Sequence, residues 1–339
     1  MARQSYIATS SRMRSSASFV PDGHYSRIPR SRQRHQEVDQ QDSHCYYPIM
    51  PPDSAPRAHA ITVINLKGGV GKTHTAWLLA GVAEERQQKL LVIDTDTQGN
   101  ITKSFLSPGE SPLPGIEALF DPRTEADPSA LIRSTRFPSI DLLPSSPALA
   151  AYDLSDQRLW EQSDLHFSLA DGLNAIRDRY DAVVFDCPPR LSLVSFAALC
   201  ASDYVVIPLE AADWGAQGIV RVTAAVEHVR ERYNPNLVLL GYLVSRFKRS
   251  RSYQRSYLKK LREHFGTLAF DTVIPDLAGY EKAVTHGIPI TLYAPRSHEA
   301  QVARALVDEI ERRIRHHSRG SARRGGRHVQ REALAAARP

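Results

Sequence analysis

Cysteine is scarce in this chain: Cys45, Cys187 and Cys200 are the only three in 339 residues. Their spacing suits neither a metal site nor a disulfide framework, and such usage fits a reducing compartment such as the cytoplasm. No apolar run approaches the roughly 20 residues that a membrane-spanning helix needs. The first residues carry arginines but lack the apolar core of a secretory signal. Acid is in modest deficit, with 37 Asp and Glu against 43 Lys and Arg, a net charge of +6. That balance suggests a polyanionic partner without identifying nucleic acid. Apolar side chain is plentiful: the 42% hydrophobic content can bury a sizeable core, as one large α/β domain with tails or as two small domains.

Aliphatic residues are also few in residues 1–58, which are rich in Ser, Arg, Gln and Pro. Such a segment cannot bury enough apolar surface to offset its ordering entropy and is expected to be disordered. It reads as a dispensable tail or a start placed ahead of Met50, with an accessory arm for DNA or a partner as the alternative. Residues 316–339 are rich in Arg, Gly and Ala and read as a second disordered basic tail. Residues 59–315 are left as the folded domain.

The centre of that domain is Asn65-Leu66-Lys67-Gly68-Gly69-Val70-Gly71-Lys72-Thr73. It follows the apolar run Ile61–Ile64, a buried strand by pattern, and leads into a helix opening at Ala76-Trp77-Leu78. Strand, glycine-rich turn and helix form the context of a phosphate-binding loop. Its glycines let backbone N–H groups face phosphate oxygens, and the helix N-terminus adds partial positive charge. Lys72 is placed to reach the β- and γ-phosphates of ATP, and the Thr73 hydroxyl to coordinate Mg²⁺. The common pattern wants Gly at position 66, where this chain has Leu66, and a second lysine, Lys67, precedes the glycines.

A second apolar strand, Leu90–Asp94, runs into Asp94-Thr95-Asp96-Thr97-Gln98-Gly99-Asn100. Carboxylates at a strand's carboxyl end face the crevice where α/β sheets bind ligands, although they could also cap the next helix. Tyr180–Asp186 is another apolar strand ending in Asp, the Walker B pattern whose carboxylate holds the Mg²⁺ shell. Cys187-Pro188-Pro189 follow it. Asp203–Leu209 and Leu237–Val244 add further buried strands, and Ile140–Ser145 a strand and turn. Helices are expected from the loop to about Gln88, over Asp164 to about Arg179, up to about Tyr233, and from His298 to Ile314. Strands that are apolar rather than alternating, separated by helices, predict a mostly parallel sheet covered on both faces.

Together these motifs resemble the deviant Walker A ATPases, most closely the ParA/Soj partition ATPases, over about residues 60–315. The resemblance implies that Lys67 crosses a dimer interface to the partner subunit's nucleotide. It implies that Asp96 positions or polarises the attacking water, and that Asp94 supports Mg²⁺ or the loop lysine. Gly68, Gly69, Val70, Gly71, Lys72, Thr73 and His74 would then hold ATP, and Thr73, Asp94 and Asp186 the metal, in part through water. Thr97 departs from the family's proline. His74 stands where the family often has Thr, and would either donate to phosphate or point away. Thr272–Asp276 resembles the family's strand and turn near the nucleotide base, where Asp276 replaces the arginine of the I-P-R motif. Cys187 reads as a passive small residue. The iron–sulfur relatives of this fold are set aside, since no pair of cluster ligands is visible.

Between positions 246 and 262 the character changes: Arg246, Lys248, Arg249, Arg251, Arg255, Lys259, Lys260 and Arg262 occur with no acid among them, interleaved with Phe247, Tyr253 and Tyr257. On a helix over Ser252 to Phe265, Arg255, Lys259 and Arg262 lie at i, i+4 and i+7. Such a face would neutralise phosphates without reading bases; otherwise it is a solvated basic face. The implied activity is a slow ATPase, stimulated by a ParB-like centromere-binding partner, whose ATP-bound homodimer holds double-stranded DNA non-specifically in plasmid or chromosome partition. It would act in the cytoplasm, on the nucleoid and not on membrane. Two alternatives share the fold: a positioner of a non-DNA protein cargo, and a MinD-like membrane switch. The last segment, Glu332–Ala337, is too weakly apolar to anchor the latter well.

Overall fold

The computed structural model describes residues 57–107, 109–155, 164–211 and 216–336, with side chains described from 219 to 318 in the last stretch. The expected N-terminal arm, residues 1–58, therefore lies almost wholly outside the described residues, as do the side chains of the expected basic C-terminal tail.

Seven strands form one sheet: β1 (His59–Val63), β2 (Leu90–Asp94), β3 (Arg133–Ser134), β4 (Ile140–Leu143), β5 (Ala182–Asp186), β6 (Tyr204–Glu210) and β7 (Val238–Ser245). Their order is β3-β4-β2-β5-β1-β6-β7. Every pairing is parallel except β3 with β4. The expectation of a mostly parallel α/β sheet holds. Successive side chains along a strand point to opposite faces, and both faces here are buried. Ile64, Leu91, Ile93, Phe185, Val205 and Ile207 join one apolar cluster, while Val63, Val92, Val184 and Val206 join the other.

Helices cover each face. On one lie α1 (Lys72–Glu85) and the closing helix; on the other lie α5 (Leu193–Ala201), α6 (Ala216–Arg232) and α7 (Ser252–Phe265). Among the described residues three shorter helices precede α5: α2 (Asn100–Phe105), α3 (Pro128–Leu131) and α4 (Ser168–Asn174). Three follow α7: α8 (Ala278–Thr285), α9 (Ile290–Tyr293) and α10 (His298–Ala336). Helix α1 is buried nearly all round, from Thr75 to Ala83, because it is wedged between the sheet, α9 and α10. Gly81 makes the approach of α9 possible, since a Cβ there would stand 2.6 Å from Pro289 Cβ.

Three expectations are corrected. The helix expected over Asp164 to Arg179 is instead a 3₁₀ turn (Leu165–Phe167), α4 and a second 3₁₀ turn (Arg177–Arg179). Ile176, at φ −129°, leaves the helical range and breaks it, yet Leu169, Leu173 and Ile176 are still buried. Thr272–Asp276 is not a strand: only an isolated bridge joins Phe247 to Pro275. The closing helix does not stop at Ile314 but continues to Ala336, through a sequence whose Arg and Ala are strong helix formers.

Candidate nucleotide site

The loop between β1 and α1 turns through two left-handed glycines, Gly69 (φ 77°) and Gly71 (φ 88°), a conformation nearly closed to side chains with a Cβ. Asn65 fixes its start: the Asn65 amide nitrogen donates to Pro208 O at 2.6 Å, and Asn65 Oδ1 accepts from Lys67 N at 3.0 Å. From the far side, Ser245 at the end of β7 donates its hydroxyl to Val70 O at 2.5 Å. The loop is thus clamped between the carboxyl ends of β6 and β7.

It opens onto a cleft of about 680 Å³. Gly68, Gly69, Gly71, Lys72, Thr73, His74 and Asp96 all line this cleft. Val70 does not; it is buried beneath the loop. Lys67 does not either. Its ammonium stands outside, half exposed, 3.3 Å from Glu210 Oε2. Ile274, Pro275, Leu277, Tyr280 and Val284 add an apolar part to the cleft wall.

Lys72 is buried, and its ammonium donates to Lys67 O at 3.0 Å. Burial lowers its pKa, and the Asp186 carboxylate is the largest opposing influence. The register pairs Asp94 with Asp186 on adjacent strands, so two carboxylates lie side by side in the interior. Burial raises both, Asp94 to about 6 and Asp186 well above the usual carboxylate range; the Asp94 carboxylate raises Asp186 further, and Asp96 raises both. They differ in what satisfies them. Asp94 Oδ1 accepts from Asp96 N, and Asp94 Oδ2 from the Thr102 amide and hydroxyl. Asp94 therefore anchors the following loop and the first turn of α2. Neither oxygen of Asp186 meets a hydrogen-bond donor, although the Thr73 hydroxyl and the Lys72 ammonium lie near enough to oppose its rise.

An orphaned, buried carboxylate beside a threonine hydroxyl is a donor set of hard oxygens, the kind Mg²⁺ takes. Among the described residues no group of three His, Cys, Asp or Glu is arranged to hold a metal alone. Nucleotide oxygens and water would complete the shell, as is usual for Mg²⁺.

Asp96 accepts from Gln98 N at 3.0 Å, and Asp96 O from Gly99 N at 2.8 Å. This closes a tight turn before α2 and holds the carboxylate in the cleft wall. Thr97, the departure from proline, accepts from Arg190 Nη2 at 3.2 Å; that guanidinium also pairs with Asp153. His74 packs edge-on against Tyr280, with ring centroids 4.6 Å apart, and burial lowers it to about 4, so it is neutral. Burial pushes the Cys187 thiol up to about 12, which leaves it protonated and passive.

The eight basic residues do not form one patch. Helix α7 has the expected bounds, and Arg249, Arg251, Arg255, Lys259, Lys260 and Arg262 are exposed on or beside it. Relief comes from outside the span, through Lys259–Glu263 at 3.7 Å and Lys248–Asp276 at 3.1 Å. Of the interleaved aromatics only Tyr253 is exposed; Tyr257 is in the core and Phe247 packs against it. Arg246 is in the cleft wall instead. Ser245, Arg246 and Tyr280 are among the cleft residues that motif reasoning missed. Ser245, at the end of a buried parallel strand where such sheets bind ligands, carried the only signal.

A family profile described as an AAA domain matches residues 58–239. The sporulation initiation inhibitor protein Soj of Bacillus subtilis is 30% identical over 251 residues, covering 74% of this chain and 97% of Soj. The chromosome partitioning protein ParA of Myxococcus xanthus is 30% identical over 255 residues, covering 75% of this chain and 88% of that protein. Among solved structures, cobyrinic acid a,c-diamide synthase of Mycobacterium smegmatis with bound ADP and magnesium superposes with a TM-score of 0.64 at 24% identity, covering 76% of this chain and 96% of the other. That last likeness speaks for the fold. With its deviant phosphate-binding loop, its parallel sheet and these relatives, the chain belongs to the ParA/Soj family of P-loop ATPases.

Proposed function

We propose that the chain is an ATP-driven partition switch, a slow ATPase whose ATP-bound dimer holds double-stranded DNA without sequence preference. The observation that carries this reading is the exposed basic face of α7, where Arg255, Lys259 and Arg262 stand on one side of a helix whose other side, Gln254, Tyr257 and Leu261, is buried. Cations so arranged neutralise a row of phosphates and leave base edges unread. Residues 59–315 would be the working domain, acting on the nucleoid. No helix among the described residues is long and apolar enough to cross a membrane.

In this reading Gly68, Gly69 and Gly71 present backbone N–H groups to the polyphosphate, and Lys72 supplies charge at the β- and γ-phosphates. Asp186 and Thr73 hold Mg²⁺, which neutralises charge on the phosphate oxygens. Asp94 keeps the Asp96 loop in place, and Asp96 orients the water through its carboxylate. Lys67, outside its own cleft, reaches the nucleotide of a second copy, so hydrolysis awaits closure and stimulation by a ParB-like partner. Phosphoryl transfer to water asks only for such positioning and charge stabilisation.

The test is binding to random-sequence duplex DNA with ATP, with ADP and without nucleotide, across a salt series. Both chain ends are basic, so the informative quantity is the increment due to ATP. A large increment, lost on changing Arg255 and Lys259 to Glu, with the salt slope reduced by about 2, is the expected result. An ATP-binding protein with no increment would overturn DNA partition and favour a protein cargo.

A further inference from the structure

The basic span that reads as one patch in sequence is divided in the fold, and its first member faces the other way. Arg246 follows Ser245, the last residue of β7, and is one of the described non-glycine residues with a left-handed backbone, φ 51°. Such a conformation is uncommon for a residue with a Cβ and persists where the surroundings enforce it. Here they do. Ser245 is held by the Val70 carbonyl, Phe247 N donates to Ile274 O at 3.1 Å, and Asp276 N to Phe247 O at 3.0 Å. The turn brings the Arg246 guanidinium over the phosphate-binding loop, where Nη1 donates to Gly69 O at 3.3 Å.

We propose that Arg246 is a nucleotide ligand, a guanidinium that contacts the phosphates of bound nucleotide from the β7 side, and is not part of the DNA-binding face. The inference rests on the cleft being the ATP site. Arg246 lines the cleft beside the loop glycines, within hydrogen-bond reach of Gly69. Its bond to Gly69 O is long for N–H···O and is made to a neutral carbonyl, so an anionic oxygen is a stronger acceptor for the same donor. The guanidinium remains exposed, with its other N–H groups able to serve a phosphate without first leaving a buried pair.

The same corner joins the cleft to the DNA face. Two residues on, Lys248 pairs with Asp276 in the cleft wall, and Lys248 N donates to Gln254 Oε1, a buried side chain of α7, at 2.5 Å. Arg255 Nη1, on the exposed face, donates to Arg249 O at 2.7 Å. A contact made by Arg246 to nucleotide thus fixes the segment from which α7 starts.

The test uses the full-length chain with Mg²⁺ and a fluorescent ATP analogue, followed by binding to duplex DNA. Arg246→Ala removes the guanidinium, and Arg246→Gly removes it while favouring the left-handed backbone, so a shared effect is not one of strain. Arg255→Ala is the comparison. Both Arg246 variants are expected to weaken ATP-analogue binding about tenfold or more and to leave nucleotide-free DNA binding and its salt slope unchanged. Arg255→Ala should do the reverse. Unaltered nucleotide affinity in both Arg246 variants, or a fall in nucleotide-free DNA binding like that of Arg255→Ala, would overturn the assignment and return Arg246 to the DNA face. If the unsubstituted chain bound no ATP analogue, the reading of the cleft itself would fall instead, and the assignment with it.

Discussion

Thr102 donates both its amide and its hydroxyl to one oxygen of Asp94, at 3.0 and 2.7 Å. The same hydroxyl accepts from Ser145 N at 3.0 Å. One buried side chain therefore ties the end of β2 to α2 and to the turn after β4, and the loop carrying Asp96 is stretched between these points. Thr102→Val keeps the shape but leaves the Ser145 amide unpaired and Asp94 short of a donor. The expected cost is about 1–3 kcal/mol, read from urea unfolding. Hydrolysis should fall more than nucleotide affinity, because Asp96 is displaced while the phosphate loop is not. Thr102→Ser should restore both, and equal losses in affinity and turnover would count against this division of roles.

The sheet was legible because its strands are unbroken apolar runs, and the cleft because three motifs end such runs in order. What could not be read was the pairing of distant segments. Arg246 and Lys248 sit in a basic stretch, and nothing local says that a left-handed turn at Arg246 sends one toward Gly69 and the other toward Asp276. Asp94 and Asp186 look alike as acids at strand ends; only the position of Thr102 separates an anchor from an orphan. The broken helix before β5 kept its apolar stripe at helical spacing, so its periodicity was indistinguishable from that of a continuous one.

His74 has a folded pKa of about 4, below its ordinary 6.5, because burial disfavours the charged ring. The unfolded chain thus binds more protons between these values, and stability is present above pH 6.5 and lost as pH falls toward 4. The full difference is on the order of 3 kcal/mol. In the nucleotide-free protein, His74→Phe, which can keep the edge contact with Tyr280, should flatten this part of the profile. Urea midpoints at pH 7.5, 6 and 5 for both proteins check it. His59 is lowered by burial as well, so the wild-type slope alone is uninformative; parallel profiles for the two proteins would remove His74 as the source.

Lys67 and Glu210 form a partly exposed pair, and such pairs contribute about 0–1 kcal/mol to stability. Lys67→Ala should accordingly leave thermal unfolding nearly unchanged. If Lys67 acts on a second copy's nucleotide, the variant should still bind ATP but lose hydrolysis. Mixing it with a chain carrying Lys72→Ala should restore part of the activity, since both defects then fall in one active site of the mixed dimer and the other site keeps both lysines. No recovery on mixing would place Lys67 in its own site.

Gly241 sets where β7 ends. Val205 pairs with Leu239 and Val206 with Gly241, so Leu240 is an extra residue bulged from the ladder. Gly241 has φ 146°, and a Cβ there would lie 2.1 Å from Leu268 O. That carbonyl is backbone and cannot swing aside. Gly241→Ala should cost about 3 kcal/mol or more, through strain and the steric shift together. Gly266→Ala is the control: its φ is 52° and its ψ −122°, but nothing lies within 4 Å of its Cβ position, so only the backbone strain of about 1–3 kcal/mol applies, without a steric shift. The bulge also fixes the register that puts Ser245 opposite Glu210, and with it the Ser245 bond to the phosphate-binding loop. Any Gly241→Ala protein that still folds should therefore bind nucleotide more weakly, though the substitution is remote from the cleft. Denaturant unfolding of both variants, followed by nucleotide titration of the folded fraction, separates these effects; a Gly241→Ala protein as stable as Gly266→Ala would show that the bulge can be rebuilt without its glycine.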